Sequence, residues 1–384
     1  MNKKTIIIII VMTLMAITAN MAHPVTPKLV EENGYDPIMY GALFATMAFA
    51  NLLASPIFGR LSDKHGRKLF LIIGAIGYGL AQLGFGFLQP RYAILSFRFI
   101  AGAFACSIFV SGMAYLVDVT KKEYRSKAMA YYTSILGAGM AGGYLLGGLI
   151  GNYNYRYSFV AQAIGSVLVA TLIFLVVKES HTDRKARTIN TNIIVDFKKY
   201  SHTILPVLLI AVVLTSFTDI GFNNTFNLYM NNALDFEPLE IGYVMAVTGA
   251  IGLFTNIVIF PILKRKFNDA YVLRLSMFVI VVTLTVVALI DNQTYQVIVL
   301  IPFFAAIRLY KPLIQSIISK LGERNGEVMG LNNAAHAIGM IAGSFIAGGI
   351  IYDINPIYSV YTVAGTCLVA FLLIVVFFKK VVKV

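Results

Sequence analysis

The chain has 384 residues, of which 58% are hydrophobic and only 13% are charged. Soluble domains carry about a quarter charged residues, so this composition excludes an ordinary soluble globule. The formal net charge of +13 would suggest a nucleic-acid partner in a soluble protein. The positions of the charges along the chain decide whether that interpretation holds.

The N-terminal stretch has two interpretations. Lys3 and Lys4 precede an apolar run that ends in small residues, as in a secretory signal peptide. However, the apolar stretch Thr5–Ala22 has 18 residues, which is long for the core of a signal peptide, and similar runs follow to the end of the chain. We therefore interpret it as the first membrane span.

Twelve stretches are long and apolar enough to be spanning helices, which need about 20 residues each. Strands of a membrane barrel would be about half as long and would alternate apolar and polar residues, and these stretches do not. The sequence therefore predicts an all-α membrane protein with 12 transmembrane helices. In chain order, the predicted spans are Thr5–Ala22, Pro37–Phe58, Leu69–Leu88, Tyr92–Val117, Ala128–Ile150, Ser158–Val177, Ile204–Tyr229, Ile241–Leu263, Val272–Ile290, Val297–Ile318, Val328–Ile351 and Ile357–Phe378.

The basic residues are distributed unequally between the two sides of the membrane. Of the 31 Lys and Arg residues, 25 fall in the tails and alternate loops of one side, whereas Lys28, Arg91 and Arg156 fall on the other. Cytoplasmic loops carry such an excess of Lys and Arg. We therefore expect a multi-pass protein of the cell membrane with both termini in the cytoplasm. This distribution also explains the positive net charge without a nucleic-acid partner.

The longest loop, Lys178–His202, is polar and basic and separates six spans from six. We interpret it as a cytoplasmic linker, residues 181–202, between an N-terminal six-helix bundle, residues 1–180, and a C-terminal six-helix bundle, residues 203–384. Part of this loop, the segment IIVDFKKY, has a second interpretation as an amphipathic helix on anionic lipid.

The two halves are related by an internal repeat at an offset of 200 residues. The aligned segments are SKAMAYYTSILGAGMAGGYLLGG and GEVMGLNNAAHAIGMIAGSFIAG. Glycines spaced by four let helices approach closely in lipid. Two parallel six-span halves form a transporter architecture with its site near the midplane. The coincident residues are Met129 and Met329, Gly139 and Gly339, Met140 and Met340, Gly143 and Gly343, and Gly148 and Gly348.

Between spans two and three lies the motif GRLSDKHGRK, Gly59–Lys68. A merely basic turn would not require Asp63 and both glycines at these spacings. The motif resembles the cytoplasmic signature of the major facilitator superfamily, Gly-x-Leu-x-Asp-(Arg/Lys)-x-Gly-Arg-(Arg/Lys). The matching positions are Gly59, Leu61, Asp63, Lys64, Gly66, Arg67 and Lys68.

Within this motif, the charges predict a switchable contact. Asp63 can cap the positive N-terminus of a helix from the other half, and Arg67 can pair with Asp118 at the end of span four. The resemblance implies that this network stabilises the outward-open state and breaks on inward opening.

Three further motifs are similar to those of the 12-span drug:proton antiporter branch of that superfamily. HPVTP, His23–Pro27, resembles the proline-rich end of span one. LSFRFIAG carries Arg98 and is similar to a span-four motif whose arginine is associated with proton coupling. In span five, GMAGGYLLGG resembles the antiporter signature, although Tyr144 stands where proline is usual. The matching glycines, which we expect to pack helices closely, are Gly139, Gly143, Gly147 and Gly148.

Five Arg, Lys, Asp or His residues lie well inside predicted spans, away from the span ends: Arg98, Asp219, Arg308, Lys311 and His336. A cation in hydrocarbon is costly, about 2.5–3.5 kcal/mol on insertion scales. One interpretation is internal neutralisation, in which Asp219 pairs with Arg308. The other is a substrate cavity, because three cations facing one carboxylate favour an anion or a carboxylate-bearing zwitterion. Arg308 and Lys311 are three residues apart and share a helix face.

Asp219 is the first candidate for proton coupling, because it is the acid in the middle of a span. Desolvation would raise its pKa, whereas Arg308 would lower it. His336 is the second candidate, because the ordinary pKa of histidine is about 6.5. Three asparagines near these groups are candidates for orienting a polar substrate: Asn223, Asn224 and Asn332.

The sequence contains no metal-ligand spacing, phosphate-binding loop or nucleophile triad, so we expect that the protein is not an enzyme and binds no cofactor. We expect transport to be driven by a proton gradient. The predicted function is a secondary active transporter, specifically a proton-coupled exporter of small molecules. An alternative is the export of an anionic or zwitterionic carboxylate, such as a siderophore-like compound; an importer or a transporter-fold sensor is less favoured. The expected partners are a small-molecule substrate, protons and the lipid bilayer, with the chain as a monomer.

Overall fold

A computed structural model describes residues 3–121, 124–180, 202–290, 293–319, 321 and 325–377. Within these residues, 12 helices are long and apolar enough to cross a membrane. Each corresponds to one predicted span, so the all-α, 12-helix architecture is confirmed.

In the described part of the chain, seven helices precede the central linker. Six of them are membrane spans, and the seventh, α2, is a short helix of 7 residues that the sequence did not predict. It carries proline in its first turn, where a missing N–H is tolerated. The bounds are α1 Lys3–Asn20, α2 Thr26–Glu32, α3 Pro37–His65, α4 Arg67–Phe87, α5 Arg91–Val119, α6 Arg125–Gly151 and α7 Tyr155–Val176.

Among the residues described after the linker, six helices are present, and two of them contain π-helical turns. The helix α9 passes through a π-helical segment at Thr255–Ile259, and α12 passes through one at Gly343–Ile351. The bounds are α8 Leu205–Asn232, α9 Pro238–Lys266, α10 Asp269–Leu289, α11 Gln293–Ser319, α12 Asn325–Ala342 with its continuation to Ile354, and α13 Pro356–Val376.

The helix α3 continues to His65, beyond the predicted end of span two at Phe58. Hydropathy marks where the hydrocarbon ends, but the backbone hydrogen bonds of a helix can continue into water. The helix ends at Gly66, whose φ of 104° is a conformation that favours glycine. The GRLSDKHGRK motif, which the sequence places between two predicted spans, therefore consists of the end of α3 and the start of α4 joined by Gly66.

Helices that lie on the same side of the linker in the sequence form most of the helix contacts. Before the linker, α1 packs against α6 and α7, and α4 packs against α5 and α7. These helices share an apolar core that includes Ile8, Met12, Leu71, Tyr78 and Ala105. After the linker, α10 packs against α11 and α13.

By internal contacts, the chain forms two compact units, each built from several segments. The first unit comprises Met1–Tyr35, Thr46–Thr188 and Met230–Ala250, and the second comprises Asp36–Ala45, Ile189–Tyr229 and Ile251–Val384. The predicted bundle boundaries at residues 180 and 203 stay a prediction. Residues 181–201, which include IIVDFKKY, lie outside the described residues.

The internal repeat has a structural counterpart in the contacts of its glycines. In the first unit, Gly139 and Gly143 of α6 pack on the carbonyls of Thr13 and Ile17 of α1. In the second unit, Gly339 and Gly343 of α12 pack on the carbonyls of α8 residues numbered 200 higher, Val213 and Phe217. A shared offset in both partners of a contact is expected of a duplicated bundle.

Candidate functional site

The junction between α3 and α4 is closed by Glu179, which follows α7. The N–H groups of Arg67 and Lys68, at the start of α4, donate to the Glu179 carboxylate over 3.0 Å and 3.2 Å. A Cβ atom on Gly66 would lie 2.8 Å from Cδ of Glu179. The carboxylate thus fills the space that glycine leaves and faces the positive N-terminus of α4.

Arg67 is the centre of the charge network in this junction, and its side chain is nearly buried. Its guanidinium forms an ion pair with Asp63, and its Nη1 donates to Ser62 Oγ over 2.7 Å. Its Nε lies 3.3 Å from Oδ2 of Asp118, so the predicted pair of Arg67 and Asp118 is present. A cation between two carboxylates is satisfied by direct hydrogen bonds.

The junction contains residues that the sequence did not single out. Ser180 Oγ donates to the same Asp118 oxygen as Arg67, over 3.3 Å. The Tyr115 hydroxyl donates to the carbonyl of Lys178 over 2.7 Å and so holds the chain just after α7. Glu179 was missed because it lies more than 100 residues from the motif, where no spacing rule reaches.

The glycines of the junction differ in their steric need. Gly66 requires glycine because of its positive φ and the Glu179 carboxylate beside it. A Cβ atom on Gly59 would lie 3.8 Å from its nearest neighbour, Val110 Cγ1, which is ordinary contact. Sterics in this conformation therefore explain the glycine at position 66 but not the one at position 59.

Arg98 of α5 is only 2% exposed, and its guanidinium Cζ lies 4.7 Å from the centre of the Phe85 ring. A cation over an aromatic face is attracted by the ring quadrupole. His23, between α1 and α2, is partly buried; burial and the nearby charge of Arg98 lower its pKa to about 3. Its imidazole is therefore neutral at physiological pH, and it packs edge-on against Tyr144 with ring centres 5.6 Å apart.

A second polar cluster lies in the first unit and was not predicted. The Tyr78 hydroxyl and the Gln162 amide both donate to the carbonyl of Ala19, over 3.0 Å and 2.9 Å. The Gln162 amide also donates to the Tyr78 hydroxyl over 3.1 Å. The cluster joins α4 and α7 to the end of α1, close to Arg98, whose charge acts on Tyr78.

In the second unit, Asp219 of α8 is partly buried. The Asn223 amide, one turn along the helix, donates to Oδ1 of Asp219 over 2.9 Å and to its carbonyl over 2.6 Å. Ser216 lies on the same face of α8, and its Oγ is 2.5 Å from Nδ1 of His336 on α12. One face of α8 therefore carries both the Asp219–Asn223 pair and Ser216, the hydrogen-bond partner of His336.

Arg308 of α11 is exposed, and its side chain lies against Gly252 of α9: a Cβ atom there would be 3.0 Å from Nε of Arg308. Lys311 follows three residues later in the same helix, but its side chain lies outside the described part of the structure. The pairing of Asp219 with Arg308 stays a prediction.

The two remaining asparagines are buried. Asn224 of α8 packs against α12, since a Cβ atom on Gly348 would lie 2.6 Å from Cβ of Asn224. Asn332 of α12 is 2% exposed. Asn223 is thus the asparagine with a direct hydrogen bond to a candidate coupling group.

The four glycines of span five occupy close helix contacts. Gly139 and Gly143 face α1, where a Cβ atom on Gly139 would lie 2.9 Å from the carbonyl oxygen of Thr13, and Gly147 packs on Met21, the residue after α1. Gly148 faces α9, where a Cβ atom would lie 2.5 Å from the carbonyl oxygen of Pro238. Their expected role in close packing is therefore present in the structure.

Comparison with known proteins supports the family resemblance of the sequence motifs. The profile described as Major Facilitator Superfamily matches residues 8–344. Multidrug resistance protein 1 of Bacillus subtilis is 25% identical over 365 residues, covering 94% of this chain and 93% of the relative. Quinolone resistance protein NorA of Staphylococcus aureus is 24% identical over 389 residues, covering 98% and 97%.

Two solved structures of low sequence identity show a similar fold. A D-xylose–proton symporter is 16% identical with a TM-score of 0.76, covering 96% of this chain and 97% of that protein. The human organic anion transporter MFSD10 is 16% identical with a TM-score of 0.72, covering 97% and 100%.

Proposed function

The chain belongs to the major facilitator superfamily of membrane transporters, and on that premise we propose that it exports small molecules in exchange for protons. The curated relatives that match over nearly its whole length are named for multidrug and quinolone resistance. Efflux of drugs or metabolites is the activity most consistent with those names. The glycine-rich motif of span five, which resembles the antiporter signature of the superfamily, supports an exchange mechanism.

The proposed orientation places both termini and the α3–α4 junction in the cytoplasm of a cell-membrane protein that acts as a monomer. It rests on the excess of Lys and Arg in one set of loops. Thiol labelling of intact cells tests it: a cysteine placed at Asn154 should react, and one placed at Thr188 should not. The reverse pattern would overturn the orientation.

Asp219 is the proposed coupling group, and one observation carries this assignment. Its carboxylate is partly buried in the middle of a spanning helix and accepts a hydrogen bond from the Asn223 side chain. An acid in this setting can take up a proton on one side of the membrane and release it on the other as its surroundings change. His336, bonded to Ser216 one turn away, is the alternative group.

Inside-out vesicles test the export and coupling assignments together. With an acidic interior, vesicles containing the protein should accumulate a lipophilic cationic dye, and a protonophore should abolish the accumulation. Asp219→Asn should lose proton-driven uptake, whereas Asp353→Asn, a matched change in an exposed acid near the end of α12, should not. Normal pH-dependent uptake by Asp219→Asn would pass the coupling role to His336 or to another group. Uptake only under the opposite gradient would indicate an importer.

Export of a carboxylate-bearing substrate is the second candidate function, favoured by the buried cation Arg98 and the exposed cation Arg308. Arginine can hold a carboxylate by two parallel hydrogen bonds, which lysine cannot. Arg308→Lys should therefore weaken binding of a carboxylate dye more than Lys311→Arg does. Full rescue of Arg308→Ala by Asp219→Asn would instead indicate that Arg308 only neutralises Asp219.

A further inference from the structure

A groove on the outer surface of α10 and α13 combines an apolar floor with a basic rim. Its volume is about 450 Å³, and its lining includes Tyr271, Arg274, Phe278 and Phe371. The rings of Phe278 and Phe371 lie with centres 6.0 Å apart and bridge the two helices. Phe278 is 51% exposed, so the groove opens away from the protein core.

The groove extends from the N-terminal end of α10 toward the middle of the membrane. Phe278 lies nine residues after Asp269, the first residue of α10, which is about 14 Å along the helix axis. The hydrocarbon core of a bilayer is about 30 Å thick. The length of the groove therefore matches the acyl chain of one leaflet, with Phe278 at its deep end and Arg274 nearer the surface.

The shallow end of the groove is positively charged. Arg274 lies over the ring of Tyr271, with its Cζ 5.1 Å from the ring centre. The acid at this end, Asp269, already pairs with Lys264 over 2.9 Å and accepts a hydrogen bond from Ser316 over 3.0 Å. Arg265 and Lys266 precede the same helix start and are exposed, so among the described residues at this end the cations outnumber the acid.

We propose that this groove binds an anionic phospholipid, with one acyl chain along Phe278 and Phe371 and the phosphate group beside Arg274. The charge complementarity selects this occupant: a zwitterionic lipid gains little from a basic rim, whereas an anionic headgroup gains an ion pair near the membrane surface. The aromatic ring of Tyr271 at the same level is typical of the membrane interface.

The test uses the absence of tryptophan from the sequence. Phe278→Trp introduces a single fluorescent reporter into the groove of the full-length protein. Leu168→Trp introduces a control reporter at similar depth on α7, where the side chain is 64% exposed. Each variant is reconstituted into phosphatidylcholine vesicles that contain brominated phosphatidylglycerol or brominated phosphatidylcholine, and quenching yields the relative affinity of the two lipids at each position.

At position 278 the affinity for phosphatidylglycerol should be about fivefold that for phosphatidylcholine, the ratio expected for one cation at a membrane surface. At position 168 the two affinities should be about equal. Arg274→Gln should remove the preference at position 278. Arg156→Gln should not, although Arg156 also lies over a tyrosine ring, with Cζ 5.5 Å from the centre of Tyr155.

Two outcomes would overturn the proposal. Equal ratios at the two reporter positions would mean that the groove holds ordinary bulk lipid or another apolar molecule. A preference at position 278 that survives Arg274→Gln would mean that the basic rim does not recognise the headgroup.

Discussion

Gly148 of α6 and Gly242 of α9 are in direct contact: a Cβ atom on Gly242 would lie 3.1 Å from Cα of Gly148. The second unit contains an equivalent contact, in which a Cβ atom on Gly41 of α3 would lie 2.7 Å from Cα of Gly349 on α12. Corresponding members of the two contacts, Gly148 with Gly349 and Gly41 with Gly242, are 201 residues apart, one more than the offset of 200 between the aligned segments, so the repeat extends to these helix pairs with a shift of one residue. Helices this close have no room for a side chain between them.

A side chain at position 148 should force α6 and α9 apart. We expect Gly148→Leu to disfavour the contact by about 1–3 kcal/mol, the usual effect of overpacking, which is a shift of about 5- to 150-fold in a conformational equilibrium. A cysteine placed at Tyr144, with Cys106 and Cys367 replaced by alanine, should then react faster with a thiol reagent. Gly137→Leu is the matched control, because the space around Gly137 of α6 is open; equal reactivity in both variants would contradict the steric argument.

Glu179→Gln should destabilise the α3–α4 junction. The substitution removes a negative charge from the N-terminus of α4, where such a charge contributes about 0.3–1 kcal/mol. Thermal unfolding of the purified protein should begin at a lower temperature, and the effect should shrink in high salt. Glu32→Gln changes an exposed acid in α2 and serves as the control. An unchanged unfolding temperature for Glu179→Gln would mean that the Glu179 carboxylate does not stabilise the N-terminus of α4.

Gly66→Ala tests the same junction from the other side. Alanine at a φ of 104° is strained, and its Cβ would overlap the Glu179 carboxylate. We expect a loss of at least about 1–2 kcal/mol, measured by chemical denaturation in detergent. Because its surroundings are open enough for a Cβ, Gly59→Ala should be much milder; similar losses at both positions would contradict this distinction.

Arg67→Ala and Asp63→Asn should slow transport without preventing insertion into the membrane. Arg67→Ala leaves Asp63 and Asp118 without their shared cation, and removing one partner of a largely buried pair typically costs about 3–5 kcal/mol. Transport rates in proteoliposomes, normalised to the amount of inserted protein, give the readout. Transport at the normal rate by either variant would show that the network does not control the conformational cycle.

His23 should make the protein less stable in acid. The pKa of His23 is about 3 in the folded protein and about 6.5 in the unfolded chain, so the unfolded chain binds the proton first as the pH falls. Above pH 6.5 His23 therefore does not lower the free energy of unfolding. Between pH 6.5 and pH 3 it lowers that free energy by roughly 1.4 kcal/mol per pH unit.

Unfolding of His23→Gln at several pH values checks this expectation. At pH 8 the variant should lose the contacts of the neutral imidazole, among them the one with Tyr144, and between pH 6 and pH 4.5 it should lose less stability than the wild type. Parallel pH profiles would mean that His23 is protonated equally in the folded and unfolded states.

The membrane spans could be read from the sequence because hydrophobic length is a local property. Each of the 12 predicted spans corresponds to one helix. The ends were less accurate where a helix continued past the hydrocarbon, as α3 does to His65. The repeat was also visible in the sequence, because Gly139 and Gly143 have the same spacing as Gly339 and Gly343. In the structure these glycines pack on the carbonyls of corresponding residues.

The number of spans and the duplicated halves could be predicted from the sequence alone, because hydrophobic length and a repeated offset do not depend on how the helices pack. The pair of Arg67 with Asp118 was predicted from a motif and an acid at the end of a predicted span, and the structure brings the two side chains together. Tertiary structure decided which distant groups complete each site: Glu179 reaches the N-terminus of α4, and Ser216 binds His336. Such contacts depend on how helices far apart in sequence are rotated and placed against one another. Helix periodicity alone places Asn223 one turn after Asp219, but only the packing of α8 against α12 places its neighbour Asn224 against Gly348.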